Sequence, residues 1–314
     1  MPDPAVASVE VEPRPATDGG AGAESLPRVD AHRHGLRAIE TPTPSIRCWL
    51  PELGRFRPSI GYFLIAFMRK RTGRTLLGYL WLFIPVLLPI FLNTLVFGGI
   101  LDVKIENGVP YFLYILVASS IWGVFAETAY YSTRSLEITR STLRKSYMPR
   151  LVPWFAAISL PLTAFVIFGL LGIGTIVYFV LSRGKFYLVL EPVTLLAPVA
   201  VVMALAIGLA VGSWFSPTAP RARDVRRTAG YVLSVWYFLT PVIYPIEKIP
   251  SDYRFLAELN PVTAPVELFK TALINTGDVT TTGLIAWAAA VVIVGGLGLR
   301  RFLVKERRDV AWYY

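Results

Sequence analysis

The 314-residue chain has one cysteine, Cys48, and two histidines, His32 and His34, both near its start. A single cysteine excludes an internal disulfide. Beyond position 34 there is no imidazole for a metal site or a proton relay. Charge is scarce too: 17% of residues are Asp, Glu, Lys or Arg, against 54% hydrophobic. The only Gly-Lys pair, Gly184-Lys185, is followed by Phe186, so the chain has no phosphate loop with which to bind ATP by itself. No Ser/His/Asp set and no mid-membrane pair of carboxylates is present, which leaves nucleophilic and acid–base catalysis without their residues.

What is there is apolar sequence in runs of about 17 residues or more, long enough to cross a bilayer. The net charge of +10 does not point to nucleic acid, because the basic residues sit in short clusters between those runs. Residues 1–45, with seven acidic and four basic residues among Pro, Ala and Gly, predict a disordered cytosolic tail. No apolar core follows a basic cluster there, so no signal peptide is expected. In the segment 46–76, Ile60, Phe63, Leu64 and Phe67 recur at helical spacing ahead of Arg69, Lys70, Arg71 and Arg74. That pattern predicts an amphipathic helix lying in the headgroup layer.

From residue 77 to 314 the pattern predicts an all-α membrane domain with six transmembrane helices, at about 77–101, 109–131, 155–181, 188–215, 229–246 and 283–299. The connections on one side hold 18 Lys and Arg, and those on the other hold six, Lys270 among them. The basic side is cytosolic by the positive-inside rule, which places both termini in the cytosol. Between spans five and six lies TPVIYPIEKIPSDYRFLAELNPVTAPVELFK, Thr240 to Lys270. Its five prolines break any continuous helix, while its apolar residues exceed what an aqueous loop needs. A pair of re-entrant helices dipping from the outer face fits, with Pro241 and Pro245 kinking the end of span five and Ala272 reachable from outside.

Glu127 is the one carboxylate well inside a span, a functional-site candidate by default; pairing with Arg134 is the structural alternative. Trp122 and Phe125 on span two, with Tyr237 and Phe238 on span five, are candidates to line a substrate path, since aromatic faces suit sugar rings. Bilayer belts and packing use the same residues. Asn93 is a candidate for a bond between helices. Gly208 and Gly212 form a Gly-x-x-x-Gly that serves either intramolecular packing or dimerisation. The cytosolic loop 132–150 is basic and helix-compatible, and places Glu137, Arg140 and Arg144 on one face. It could be merely solvated, or present itself to a motor subunit.

The motifs LLGYLWLFIP, VPYFLYILVASSIWGVFAE, RKSYMPRLVP, RDVRR, TPVIYPIEKIP and LNPVTAPVELFK, in that order, resemble the ABC-2 type permeases. Within them they resemble the exporters of O-antigen and related polysaccharides, with teichoic acid permeases close by. The resemblance covers about 55–310; the long N-terminal tail and SSIW depart from it. It implies a homodimer in the cytoplasmic (inner) membrane, working with a separate ATPase subunit that holds ATP and magnesium, and no cofactor in this chain. It implies re-entrant helices at an outer gate over Ile243–Lys270, where Tyr244, Pro245, Pro250, Asn260 and Pro261 fall. It also implies an ATPase contact in the first cytosolic loop, where Glu137, Arg140, Arg144, Lys145 and Pro149 fall. The implied substrate is a lipid-linked polysaccharide, with membrane lipids around it and no nucleic acid. Alternatives are a teichoic acid exporter, a drug or lipid exporter of the same superfamily, a proton-coupled carrier and, from another class, a membrane glycosyltransferase.

Overall fold

The computed structural model describes residues 61–62, 80–140, 151–219 and 223–308; among them there are helices and no strands. Of the amphipathic segment only Gly61 and Tyr62 are described, both helical; the tail lies outside the described residues. Helix α1 (Leu80–Asn93) carries Pro85 and Pro89 and passes into a π-helical turn, Thr94–Ile100. The amide of Asn93 donates to the Pro89 carbonyl of its own helix at 2.8 Å, not across to a neighbouring helix. Helix α2 (Tyr111–Ile138) has 28 residues. It continues past the predicted span and takes residues 132–138 of the predicted loop with it.

Helices α3 (Leu151–Ala156) and α4 (Ser159–Arg183) come next. The break between them falls where Pro161 has no N–H to give the carbonyl four residues back. Helix α4 ends at Gly184, left-handed at φ 62°, whose N–H caps the Val180 carbonyl at 3.0 Å. A 3-10 turn, Pro192–Leu196, leads into α5 (Ala197–Phe215). Helices α6 (Arg223–Leu239), α7 (Ser251–Glu258), α8 (Thr263–Ile274) and α9 (Thr281–Arg308) complete the described helices.

Among the described residues five stretches are long and apolar enough to cross a membrane: Phe83–Ile100, Tyr111–Ile138, Leu151–Arg183, Pro192–Phe215 and Thr281–Lys305. The predicted fifth span, 229–246, corresponds to α6, which has 17 residues and stops at Leu239. Pro241 accounts for the stop, because a residue before proline is driven out of the helical region. Residues 240–244 are turns and bends, so Pro241 and Pro245 follow the helix and do not kink it.

Helix α2 is the centre of the fold and packs most extensively on α5, then on α4 and α8. A Cβ on Gly208 would stand 2.6 Å from the Thr128 Cβ, and one on Gly212 would stand 2.5 Å from the Ser132 Cβ. The Gly-x-x-x-Gly is therefore spent inside the chain, on the α2–α5 contact. Small hydroxyl residues fill the α2 side of it. Thr128, Ser132 and Ser135 each donate to a carbonyl three or four residues back, at 2.5–2.8 Å. The hydroxyls thus meet their hydrogen-bond needs within their own helix while letting backbones approach. A second cluster, with Leu136, Trp154 and Phe302 buried together, joins the end of α2 to α3 and α9.

Candidate functional site

The aromatic candidates converge where α2 faces the end of α6. The Trp122 ring lies 5.2 Å from Phe125 and 5.5 Å from Tyr237, and Phe125 lies 5.1 Å from Trp236, all edge-on. Edge-to-face pairs at this spacing add to what burial alone supplies. Phe125 is wholly buried and Trp122 nearly so, whereas Phe238, 5.6 Å from Tyr237, is 61% exposed. Phe125 is thus a packing residue in this arrangement, and Phe238 presents a free face. Glu127 is half-buried on α2. The Arg134 guanidinium engages Glu137 at 3.2 Å, and also the Tyr130 hydroxyl.

The segment after α6 is fastened by Asn260. Its side-chain oxygen accepts from the Trp236 indole at 2.9 Å and from the Val262 backbone N–H at 3.0 Å, while its amide donates to the Thr240 hydroxyl at 2.7 Å. One buried side chain thereby ties the α7–α8 corner to the end of α6. Tyr244 donates to the Phe238 carbonyl at 2.6 Å, Pro245 is buried, Pro250 precedes α7 and Pro261 stands in the α7–α8 turn.

The residues that sequence reasoning missed lie one helix further on. Lys270, counted above among charges of an outer connection, is completely buried. Its ammonium donates to Glu267 at 2.6 Å, to the Tyr114 hydroxyl at 3.0 Å and to the Pro241 carbonyl at 3.3 Å. It also stands 4.9 Å from the centre of the Tyr114 ring. Glu267 takes a further bond from the Asp278 backbone N–H at 3.1 Å. Burial pushes the Glu267 carboxyl above its ordinary value, against the pull of Lys270 and that N–H. Charges are tolerated at such depth only when paired and hydrogen-bonded, and every donor of the ammonium is used. The i, i+3 spacing of Glu267 and Lys270 within apolar VELFKTALI was the available signal. Ala272, expected to be reachable from outside, is fully buried in the same helix, because α8 presents that face to the core.

Of the predicted coupling residues, Glu137 lies in the last turn of α2, half-buried, and Arg140 is exposed just beyond it. Arg144, Lys145 and Pro149 lie outside the described residues.

A family model described as ABC-2 type transporter matches residues 60–274. Over 203 residues the chain is 25% identical to the O-antigen export system permease protein RfbA of Myxococcus xanthus, covering 63% of this chain and 73% of that protein. It is 24% identical over 217 residues to a protein of the same name from Klebsiella pneumoniae, covering 66% and 78%.

Proposed function

The chain belongs to the ABC-2 type transporter family, and from that premise we propose that it is the transmembrane subunit of an exporter of a lipid-linked, O-antigen-like cell-surface polysaccharide. It is a transport subunit and not an enzyme. A separate ATP-binding cassette subunit hydrolyses the ATP, with its magnesium, and this chain carries the polymer path. Two copies form the path in the cytoplasmic membrane, with both termini in the cytosol. The observation that carries this reading is the family match over most of the chain, together with its similarity to two O-antigen export permeases.

The finer reading follows the same lines. Helix α6 is the fifth of six crossings, completed by the turns after Leu239. Helices α7 and α8 are the re-entrant pair of the outer gate. Its support is local: two short helices, a corner held by Asn260, and a buried ion pair tying α8 to α2. The end of α2, with Glu137 and the exposed Arg140, faces the ATPase. Because α2 is one helix from Tyr111 to Ile138, a push at that end is carried directly to the aromatic cluster and to Tyr114.

Deleting the gene in its own host tests the reading. The polymer should vanish from the surface while its lipid-linked form accumulates in the cytosolic leaflet, and co-expression with the cognate ATPase should restore export. Normal surface polysaccharide, or a deletion strain in which the lipid-linked polymer is never made, would sink it; the second result would favour the glycosyltransferase alternative.

A further inference from the structure

Two cavities of opposite character share Trp287 as a wall. One is an apolar groove of about 730 Å³ between α5, α6 and α9, bounded by Trp236, Pro261 and Trp287 at one end and by Trp214 and Arg301 at the other. The second, of about 280 Å³, lies between α7, α8 and the start of α9, and carries Arg254, Glu258, Thr263 and Asp278 on its wall. The indole N–H of Trp287 donates to the Glu258 carbonyl at 3.1 Å, which holds the ring where the two cavities adjoin.

The polar cavity has mixed charge. Arg254 bridges Asp278 at 2.7 Å and Glu258 at 3.3 Å, so one guanidinium stands against two carboxylates; the third carboxylate on the wall, Glu267, is already paired with Lys270. Thr263 is 7% exposed, and its hydroxyl has no hydrogen-bond partner among the described residues. A buried hydroxyl left unpaired marks a place where something else completes the bond. The apolar groove adds a length. From Trp287 to Arg301 along α9 is about 21 Å at 1.5 Å per residue, more than half the roughly 30 Å hydrocarbon core of a bilayer. A polar pocket adjoining a groove of that length, with Trp287 on the wall of both, fits an amphiphile.

We infer that the two cavities together bind one phospholipid with a primary-amine headgroup, of the phosphatidylethanolamine class. An acyl chain lies in the groove. The ammonium donates to Glu258 and Asp278, and a phosphate oxygen accepts from Thr263 and Arg254. The chemistry selects this head over others. A quaternary amine has no N–H to donate, and an anionic glycerol head brings no cation to the surplus carboxylate. The inference goes beyond the export reading and depends on it only for the leaflet, which the proposed orientation makes the outer one.

Native mass spectrometry of the delipidated full chain, offered equal amounts of dioleoyl phosphatidylethanolamine, phosphatidylcholine and phosphatidylglycerol, tests it without polymer or ATPase. The ethanolamine lipid should be retained about tenfold better than either of the others, the scale of a lost charge-assisted hydrogen bond. The double variant E258Q/D278N should erase the preference while still holding lipid, and A290W, which fills the groove, should lower retention of all three. Equal retention of the three lipids by the wild-type chain would overturn the inference. So would a preference that survives E258Q/D278N, or retention of free phosphoethanolamine as strong as that of the whole lipid.

Discussion

Helices α2 and α9 are both 28 residues long, yet they stand in different surroundings. In the most apolar 18-residue stretch of each, 78% of the residues of α2 are buried, against 6% for α9. The buried helix is the one carrying Ser119, Ser120, Thr128, Ser132, Thr133 and Ser135; the exposed one shows Ile285, Val292, Ile293 and Leu297 to its surroundings. A water-soluble core would sort these the other way. In a bilayer the apolar effect does not drive helices together, so close approach of small residues and satisfied polar groups decides which helix goes inside. Helix α2 is inside because α5 meets it through Gly208 and Gly212, and α8 through Lys270.

The sharpest way to break that contrast is to remove the charge that holds α8 on α2. Lys270→Met leaves Glu267 buried without its cation, and a loss of about 3–5 kcal/mol is expected. Thermal unfolding of the purified chain measures this, and Glu267→Gln combined with Lys270→Met should recover part of it. A single variant as stable as the parent would mean that the pair is not buried as described.

Phe125 and Phe238 make a matched pair for the aromatic cluster. Phe125→Ala opens a cavity in the packed side of α2, expected to cost about 3–5 kcal/mol, and folded protein should fall together with export. Phe238→Ala removes an exposed ring; protein level should hold while export slows. Parallel losses in both variants would show that Phe238 is packing as well, and that the free face is covered in the assembly.

Next in size is the glycine contrast. Gly212→Leu overpacks the α2–α5 contact and should destabilise by about 1–3 kcal/mol. Gly296→Leu on α9, where a new Cβ meets nothing within 4 Å, should leave the melting temperature unchanged. If both are tolerated, the α2–α5 approach is looser than the geometry requires.

How much of this could be read from the sequence follows the same division. The spans over α2, α4, α5 and α9 are legible because apolar runs announce themselves whatever they face. The end of α6 was overshot because apolar composition continues through Pro241 to Tyr244 after the backbone has turned. Lys270 is hidden from the sequence because a charge beside prolines reads as an exposed connection, and its partner Tyr114 lies 156 residues away. The partners of Gly208 and Gly212 are equally remote, so the spacing left packing and dimerisation open. The aromatics were legible as a group, but nothing in their spacing separates the wholly buried Phe125 from the exposed Phe238.

The smallest expected effect on stability lies just beyond the end of α2. Reversing the charge of the exposed Arg140 should change stability by no more than about 0.5 kcal/mol, as surface substitutions do. It should nevertheless lower export per ATP hydrolysed by the complex. Unaltered coupling would reduce this end of α2 to a solvated extension.

The central claim is that α8, with α7 ahead of it, folds back onto α2 on the outer side and returns the chain there for α9. In a Cys48→Ser background, single substitutions Thr281→Cys, at the exposed start of α9, and Thr228→Cys, exposed on α6, measure this directly with a membrane-impermeant thiol reagent. The expected result is labelling of Thr281→Cys in intact cells, and of Thr228→Cys only after the membrane is opened. Labelling of Thr281→Cys from the cytosolic side alone would contradict the account, because α7 and α8 would then cross the membrane and α9 would run the other way.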